Sequence, residues 1–279
     1  MFKSFCKMAV LTSIASFAVF TSCVNPASSG GNGGGNSGGN GGNSGGGGGG
    51  ERKIISYIGK KAPTEQKNAG DIVFSDGSAT PYNINLSLTR EQKAKVIAVI
   101  FYVGTECSYN GEARTLGVAL KRCKDTGAWC KGYGRLTYIT TILPSTLNGS
   151  DNLSKAIIAA SRVGTDKEED YPAFYTAKNY GKNELDKSTA SVYKEGWYLP
   201  SEAEIRKIMN EKQIIRDACF TCVDGSIFSG DSNLWTSSQT TDKAEYAQLL
   251  TWQNGSSETY NIKSCNKTTA NPVVAIREF

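Results

Sequence analysis

The segment Gly196-Trp197-Tyr198-Leu199-Pro200-Ser201-Glu202-Ala203-Glu204-Ile205 decides how this chain is read. Trp197 and Leu199 alternate with more polar neighbours, the pattern of a short half-buried strand. Ser201 and Glu204 then stand at the S-x-x-E spacing of a capping box. The serine hydroxyl accepts the N–H of Glu204 and the glutamate carboxylate accepts the N–H of Ser201. Ile205 and Ile208 open an apolar helical face, with Arg206, Lys207 and Glu211 opposite. Strand, turn and capped helix in so short a stretch are architecture, and no catalytic role is read into them.

On either side, periodicity supplies further elements. Asp71 to Phe74 and Val96 to Val103 are apolar enough for core strands, with Asp76-Gly77 as a turn between them. Thr89 is the N-cap of a helix to Lys95, and Gly117 to Lys121 reads as a strand. Asp151 to Ser161 is a helix with Ala156, Ile157 and Ala160 on one face. Pro172 at a first helical position and Gly181 past the end frame another. Gln248 to Trp252, Thr259 to Lys263 and Val273 to Phe279 are strands, the first two joined at Asn254-Gly255, a strong hairpin signal. The class is α+β, with two helices around a small, mostly antiparallel sheet.

Four pieces, in order, carry a resemblance. They are Tyr171-Pro172-Ala173-Phe174-Tyr175-Thr176-Ala177-Lys178-Asn179-Tyr180, the Gly-Trp-Tyr-Leu-Pro-Ser-x-x-Glu segment at Gly196, Leu234-Trp235-Thr236-Ser237-Ser238-Gln239, and Val273-Val274-Ala275-Ile276-Arg277-Glu278-Phe279. Together they resemble the formylglycine-generating-enzyme-like branch of the C-type lectin fold. That branch of exported bacterial domains includes collagen-like adhesin C-terminal domains and the variable proteins of diversity-generating retroelements. The resemblance spans roughly Gly70 to Phe279 and implies a C-type lectin-like fold. It says little of activity, because one fold hosts many. The enzymes use a late cysteine pair with copper, whereas the late segment here has Cys265 alone. The Glu-Pro-Asn, Gln-Pro-Asp and Trp-Asn-Asp motifs of calcium-dependent sugar binding do not occur. No catalytic residue, cofactor or metal ligand is therefore assigned, and the chain is not read as an enzyme.

Residues 1–23 read as a lipoprotein signal peptide. Lys3 and Lys7 precede an apolar run, and Phe20-Thr21-Ser22-Cys23 resembles a lipobox whose Cys23 would be exposed for diacylation. The run is shorter than the roughly 20 residues a spanning helix needs. Residues 24–50 are mostly Gly, Ser and Asn, with almost nothing apolar, a flexible tether with a reach of roughly 30 Å. Residues 51–279 are left as one lectin-like domain. These features lead to the expectation of a lipid-anchored protein of a bacterial cell envelope, on the outer-membrane surface, with periplasmic display left open.

The chain has no histidine and a net charge of +5. The first fact removes histidine-based triads and zinc motifs. The scattered basic residues form no nucleic-acid stripe. With Cys6 removed by processing at Cys23, the remaining Cys107, Cys123, Cys130, Cys219, Cys222 and Cys265 form an even set that suggests disulfides in an exported domain, with connectivity open. Cys219-Phe220-Thr221-Cys222 has redox spacing, but a structural bridge or unpaired thiols are favoured.

What remains is a surface. Between Trp235 and Pro272 the chain is rich in adaptable recognition residues. Tyr246 and Tyr260 are expected as aromatic anchors of ligand binding. Asp242, Lys243, Gln253, Glu258, Asn261 and Lys263 are their polar neighbours. The loops between Cys107 and Tyr138 are the fallback site. The expected function is adhesion or ligand binding to a macromolecular or glycan partner, with possible retroelement diversification. The alternatives are an oxidase with displaced cysteines and a non-catalytic envelope subunit.

Overall fold

The computed structural model describes residues 56–131, 146–162, 170–222, 227–228, 232–241, 243–252 and 259–279. The proposed signal peptide, the tether, Asp242, Gln253, Glu258 and the Asn254-Gly255 turn lie outside them. Ile54–Phe279 forms one compact unit.

Its spine is a six-stranded antiparallel sheet in the order β2-β1-β3-β4-β11-β6. The strands are β1 (Asp71–Phe74), β2 (Ala79–Pro81), β3 (Val96–Gly104), β4 (Arg114–Ala119), β6 (Trp197–Tyr198) and β11 (Ile276–Glu278). A three-stranded meander holds β7 (Ser232–Gln239), β8 (Tyr246–Trp252) and β9 (Tyr260–Asn266). β5 (Gly127–Ala128) pairs with β10 (Ala270–Asn271). Seven helices are present among the described residues where sequence periodicity suggests two main ones. They are α1 (Arg90–Ala94), α2 (Gly149–Arg162), α3 (Pro172–Lys178), α4 (Tyr180–Asn183), α5 (Ser191–Lys194), α6 (Glu202–Asn210) and α7 (Lys212–Cys222). The class is α+β. No helix among the described residues is long and apolar enough to cross a membrane.

Alternation along the strands feeds two cores, one on each face. Val73, Trp197, Leu199, Leu249, Val273 and Ala275 pack in one. Ile72, Phe74, Tyr198, Leu250, Val274 and Ile276 pack in the other. This corrects the half-buried reading of the Gly196 segment, since Tyr198 is as deeply buried as its neighbours. Such strands read as continuous apolar runs because neither face meets water.

The capping box forms: Ser201 Oγ accepts the Glu204 N–H and the Glu204 carboxylate accepts the Ser201 N–H. A second one, Thr89 with Gln92, starts α1. Pro172 opens α3 as expected, but Gly181 is not a terminator. It lies within α4, where a Cβ would stand 2.3 Å from the Lys194 carbonyl oxygen, so it permits a close crossing. The Asp76-Gly77 turn joins β1 to β2 rather than to β3, with Gly77 at φ +84°.

The C-terminal motif is explained by Arg277. Its guanidinium donates to the carbonyls of Val192 and Glu195 and lies 5.1 Å and 5.2 Å from the rings of Tyr193 and Phe279. Of the strand expected over Val273 to Phe279, only Ile276–Glu278 is regular. The preceding carbonyls are taken by Trp235, Cys123 and Ala119 N–H groups from three other segments.

Candidate functional site

The recognition face expected on the C-terminal meander is divided by strand geometry. Tyr260 pairs with Trp252 and Asn266 with Tyr246, so the two tyrosines mark opposite ends of the β8–β9 ladder. Six residues of strand separate the two β8 positions, about 20 Å at the usual rise. Tyr260 and Lys263 are three apart in one strand and so leave from opposite faces. Tyr260 packs partly buried against the second core beside Ile262. Asn261 and Lys263 are exposed on the other side. Lys243 lies 5.4 Å over the Tyr246 ring and forms a local turn with it, Tyr246 N–H donating to the Lys243 carbonyl. The described candidates are thus two small groups, not one patch.

A different assembly lies around the capping box. Glu204 has no solvent exposure, and both its oxygens are filled. Oε1 accepts from Arg114 Nη1 and from the Tyr198 hydroxyl, each at 3.0 Å. Oε2 accepts the N–H groups of Ser201 at 2.8 Å and Gly149 at 3.0 Å. One carboxylate therefore satisfies the first turns of two helices, α6 and α2, which also favours negative charge there. Gly149 is required by this closeness, since a Cβ there would meet Leu199 O at 2.3 Å. Arg114 reaches further. It donates to the Tyr198 hydroxyl, the Cys107 carbonyl and Glu278 at 2.8, 2.8 and 3.0 Å. Burial raises the Glu204 carboxyl, but four donors occupy its lone pairs, so it stands as a carboxylate. Burial likewise opposes the Arg114 charge, yet Tyr198, Glu204 and Glu278 hold it above its ordinary range.

β7 locks onto the same place. Ser238 Oγ accepts the Glu202 N–H at 2.9 Å, and the Ser237 N–H donates to Pro200 O at 2.7 Å. Asn152 Nδ2 donates to Ser237 Oγ at 2.8 Å. The serines of the Leu-Trp-Thr-Ser-Ser segment are thus the brace between α2, α6 and the meander.

Above this network opens a polar cleft of about 310 Å³. Ser108, Tyr109, Asn110 and Glu112 from the β3–β4 loop line one side. Asn148 and Asp151 at the start of α2, and Glu278 on β11, line the other, with Arg114 also in the wall. The walls are ordered locally. Asn110 Oδ1 accepts from Ser108 Oγ and the Glu112 N–H, and Asn148 Oδ1 accepts from the Ser150 N–H and hydroxyl. The Tyr109 ring is more than half exposed, with Lys155 Nζ 5.8 Å from its centre. This is the fallback region of the sequence, within Cys107 to Tyr138, joined by partners from α2 and β11 that carried no local signal. Three carboxylates at the rim make it a site for hydroxyl-rich or cationic groups rather than anions.

The cysteines do not pair as expected. All six described ones are free thiols. Cys123 and Cys130 lie in one core and Cys107, Cys219 and Cys222 in the other. Burial pushes the thiols of Cys107, Cys123, Cys219 and Cys222 up to about 12 and Cys130 to about 11. Thiols so raised are poor nucleophiles at neutral pH, including the Cys219–Cys222 pair with its redox spacing.

No family model matches the chain, and the search of curated proteins gives no match.

Proposed function

We propose that this chain is a lipid-anchored protein of the bacterial cell surface whose domain, of C-type lectin-like architecture in its formylglycine-generating-enzyme-like form, binds a macromolecular or glycan ligand without catalysis. The observation that carries this reading is the cleft over the Arg114–Glu204 network. A polar recess whose walls come from three separated segments, fixed from below by a buried ion pair, is preorganised for binding. The resemblance at four segments supports the architecture. The lipobox and the 27-residue tether support display away from the membrane. The raised thiols weigh against the oxidase alternative, which needs a reactive cysteine.

The binding surface moves accordingly from Tyr246 and Tyr260 to the cleft, with Tyr109 as aromatic anchor and Glu112 and Asp151 as acceptors. Exposed aromatic side chains at the mouth of a fixed recess are the common carriers of interface energy. Cells displaying the chain are compared for capture of host matrix and of neighbouring cells. Tyr109→Ala combined with Asp151→Asn is expected to lower capture about tenfold or more, as about 1.4 kcal/mol of lost binding requires. Asn261→Ala with Lys263→Ala leaves capture unchanged. The reverse pattern returns the site to the β9 edge.

Anchoring is tested separately. Cys23→Ala is expected to accumulate as unprocessed precursor without palmitate label, and label that persists in this variant refutes the anchor.

A further inference from the structure

Lys267 is fully buried, an uncommon place for an amine. Its Nζ donates to Gln239 Oε1 at 2.7 Å and lies 4.4 Å from the centre of the Trp129 ring. An ammonium has three donors, and among the described residues it meets one side-chain oxygen and one aromatic face. Its backbone is equally engaged. The Lys267 N–H donates to Glu245 O, and its carbonyl accepts the Cys130 N–H. One residue therefore ties the β9–β10 turn to the end of β7, to the turn before β8 and to the segment after β5. These are the seams at which the β8–β9 hairpin joins the rest of the domain.

We propose that Lys267 is a pH-set latch for the β8–β9 hairpin: while its buried amine is charged the hairpin opens readily, and loss of that proton fastens it. The inference is independent of the ligand-binding cleft, which lies on other elements.

The physical cause is desolvation. Burial lowers the Lys267 amine from 10.5 to about 8, against the opposing pull of Cys130 and Glu245, the titratable groups that act on it. The Cys130 thiol is itself held up near 11 by burial. The sign follows from proton counts. Below about 8 the amine is charged in both closed and opened hairpins, and closing carries the full cost of burying it. Between about 8 and 10.5 the opened form keeps a proton that the closed form has lost. Closing then strengthens with rising pH, about tenfold in equilibrium constant per pH unit for one proton. Above 10.5 the effect levels off.

The test is hydrogen exchange of the full chain from pH 7 to 10, with protection of the amides in Tyr246–Trp252 and Tyr260–Asn266 corrected for intrinsic rates. Wild type is expected to gain protection at these amides relative to Lys267→Met, by close to tenfold per unit above pH 8. Lys267→Met is expected to be the better protected of the two at pH 7, since an apolar chain of similar length replaces the buried charge. A difference between the two proteins that does not change with pH overturns the proposal. Should Lys267→Met fail to fold, Gln239→Leu is read instead. Loss of the Gln239 oxygen acceptor moves the onset of added protection to lower pH, and an onset that stays in place also overturns it.

Discussion

Glu204→Ala is expected to cost about 3–5 kcal/mol, the usual consequence of removing one partner from a buried ion pair. Against a total stability of about 5–15 kcal/mol, that leaves the domain barely folded at ambient temperature. The size of the effect comes from what is stranded. Arg114, 5% exposed, keeps Glu278 at its edge as its one counter-charge among the described residues. The Tyr198 hydroxyl and the N–H groups of Gly149 and Ser201 lose their acceptor together. Arg114→Met alone should be nearly as damaging, because it strands the carboxylate. The double variant Arg114→Met, Glu204→Leu should recover part of the loss, since an apolar pair of similar volume carries no buried charge. Urea melts of the three proteins decide it. A Glu204→Ala midpoint close to wild type removes the network from its central place, and with it the fixed floor assigned to the cleft.

The second large effect is alkaline unfolding. Cys123 and Cys219 are buried thiols held up to about 12 from an ordinary 9.0. A folded-state value above the unfolded one means the stabilising contribution is complete below 9 and lost as pH rises toward 12. Each thiol then withdraws about 1.4 kcal/mol for every pH unit above 9. By pH 11 these two alone remove about 5 kcal/mol, comparable with the whole stability of a marginal domain. Melting temperature is expected to fall steeply between pH 9 and 11, with thiols that resist alkylation at pH 7 becoming reactive over the same interval. Cys123→Ala with Cys219→Ala should flatten that slope while lowering the plateau at pH 7. A wild-type melting temperature constant to pH 11, or fewer than six alkylatable thiols among residues 51–279 of the unfolded chain, contradicts the free-thiol state.

How far the sequence could be read follows from how local each determinant is. Ser201 with Glu204 and Thr89 with Gln92 are signals within four residues, and both capping boxes form. Pro172 is likewise local. Strand parity was available too: Tyr260 and Lys263, three apart in a strand, have to diverge, and treating them as one patch overlooked it. Gly181 misled because a glycine after a helical run serves equally for termination and for close approach, and only the backbone of Lys194 tells which. Arg114 gave no sign at all. Its carboxylate partner stands 90 residues away, and an arginine opening a strand looks like a surface residue until both segments are placed. The same holds for Lys267, whose burial depends on Trp129 and Gln239 arriving from distant strands. The cleft was partly visible as a polar loop after Cys107, but Asn148, Asp151 and Glu278 are brought to it by tertiary contacts alone.

β11 runs between β4 and β6, with Ile276 paired to both Val118 and Tyr198. A chain made from its N-terminus therefore carries an incomplete sheet until β11 is added. β4 and β6 each keep an unpaired edge until residues 276–278 emerge, and loop closure over such separations is slow. The delay leaves two sticky edges open to other chains, so the interval before β11 docks is when holding chaperones matter most.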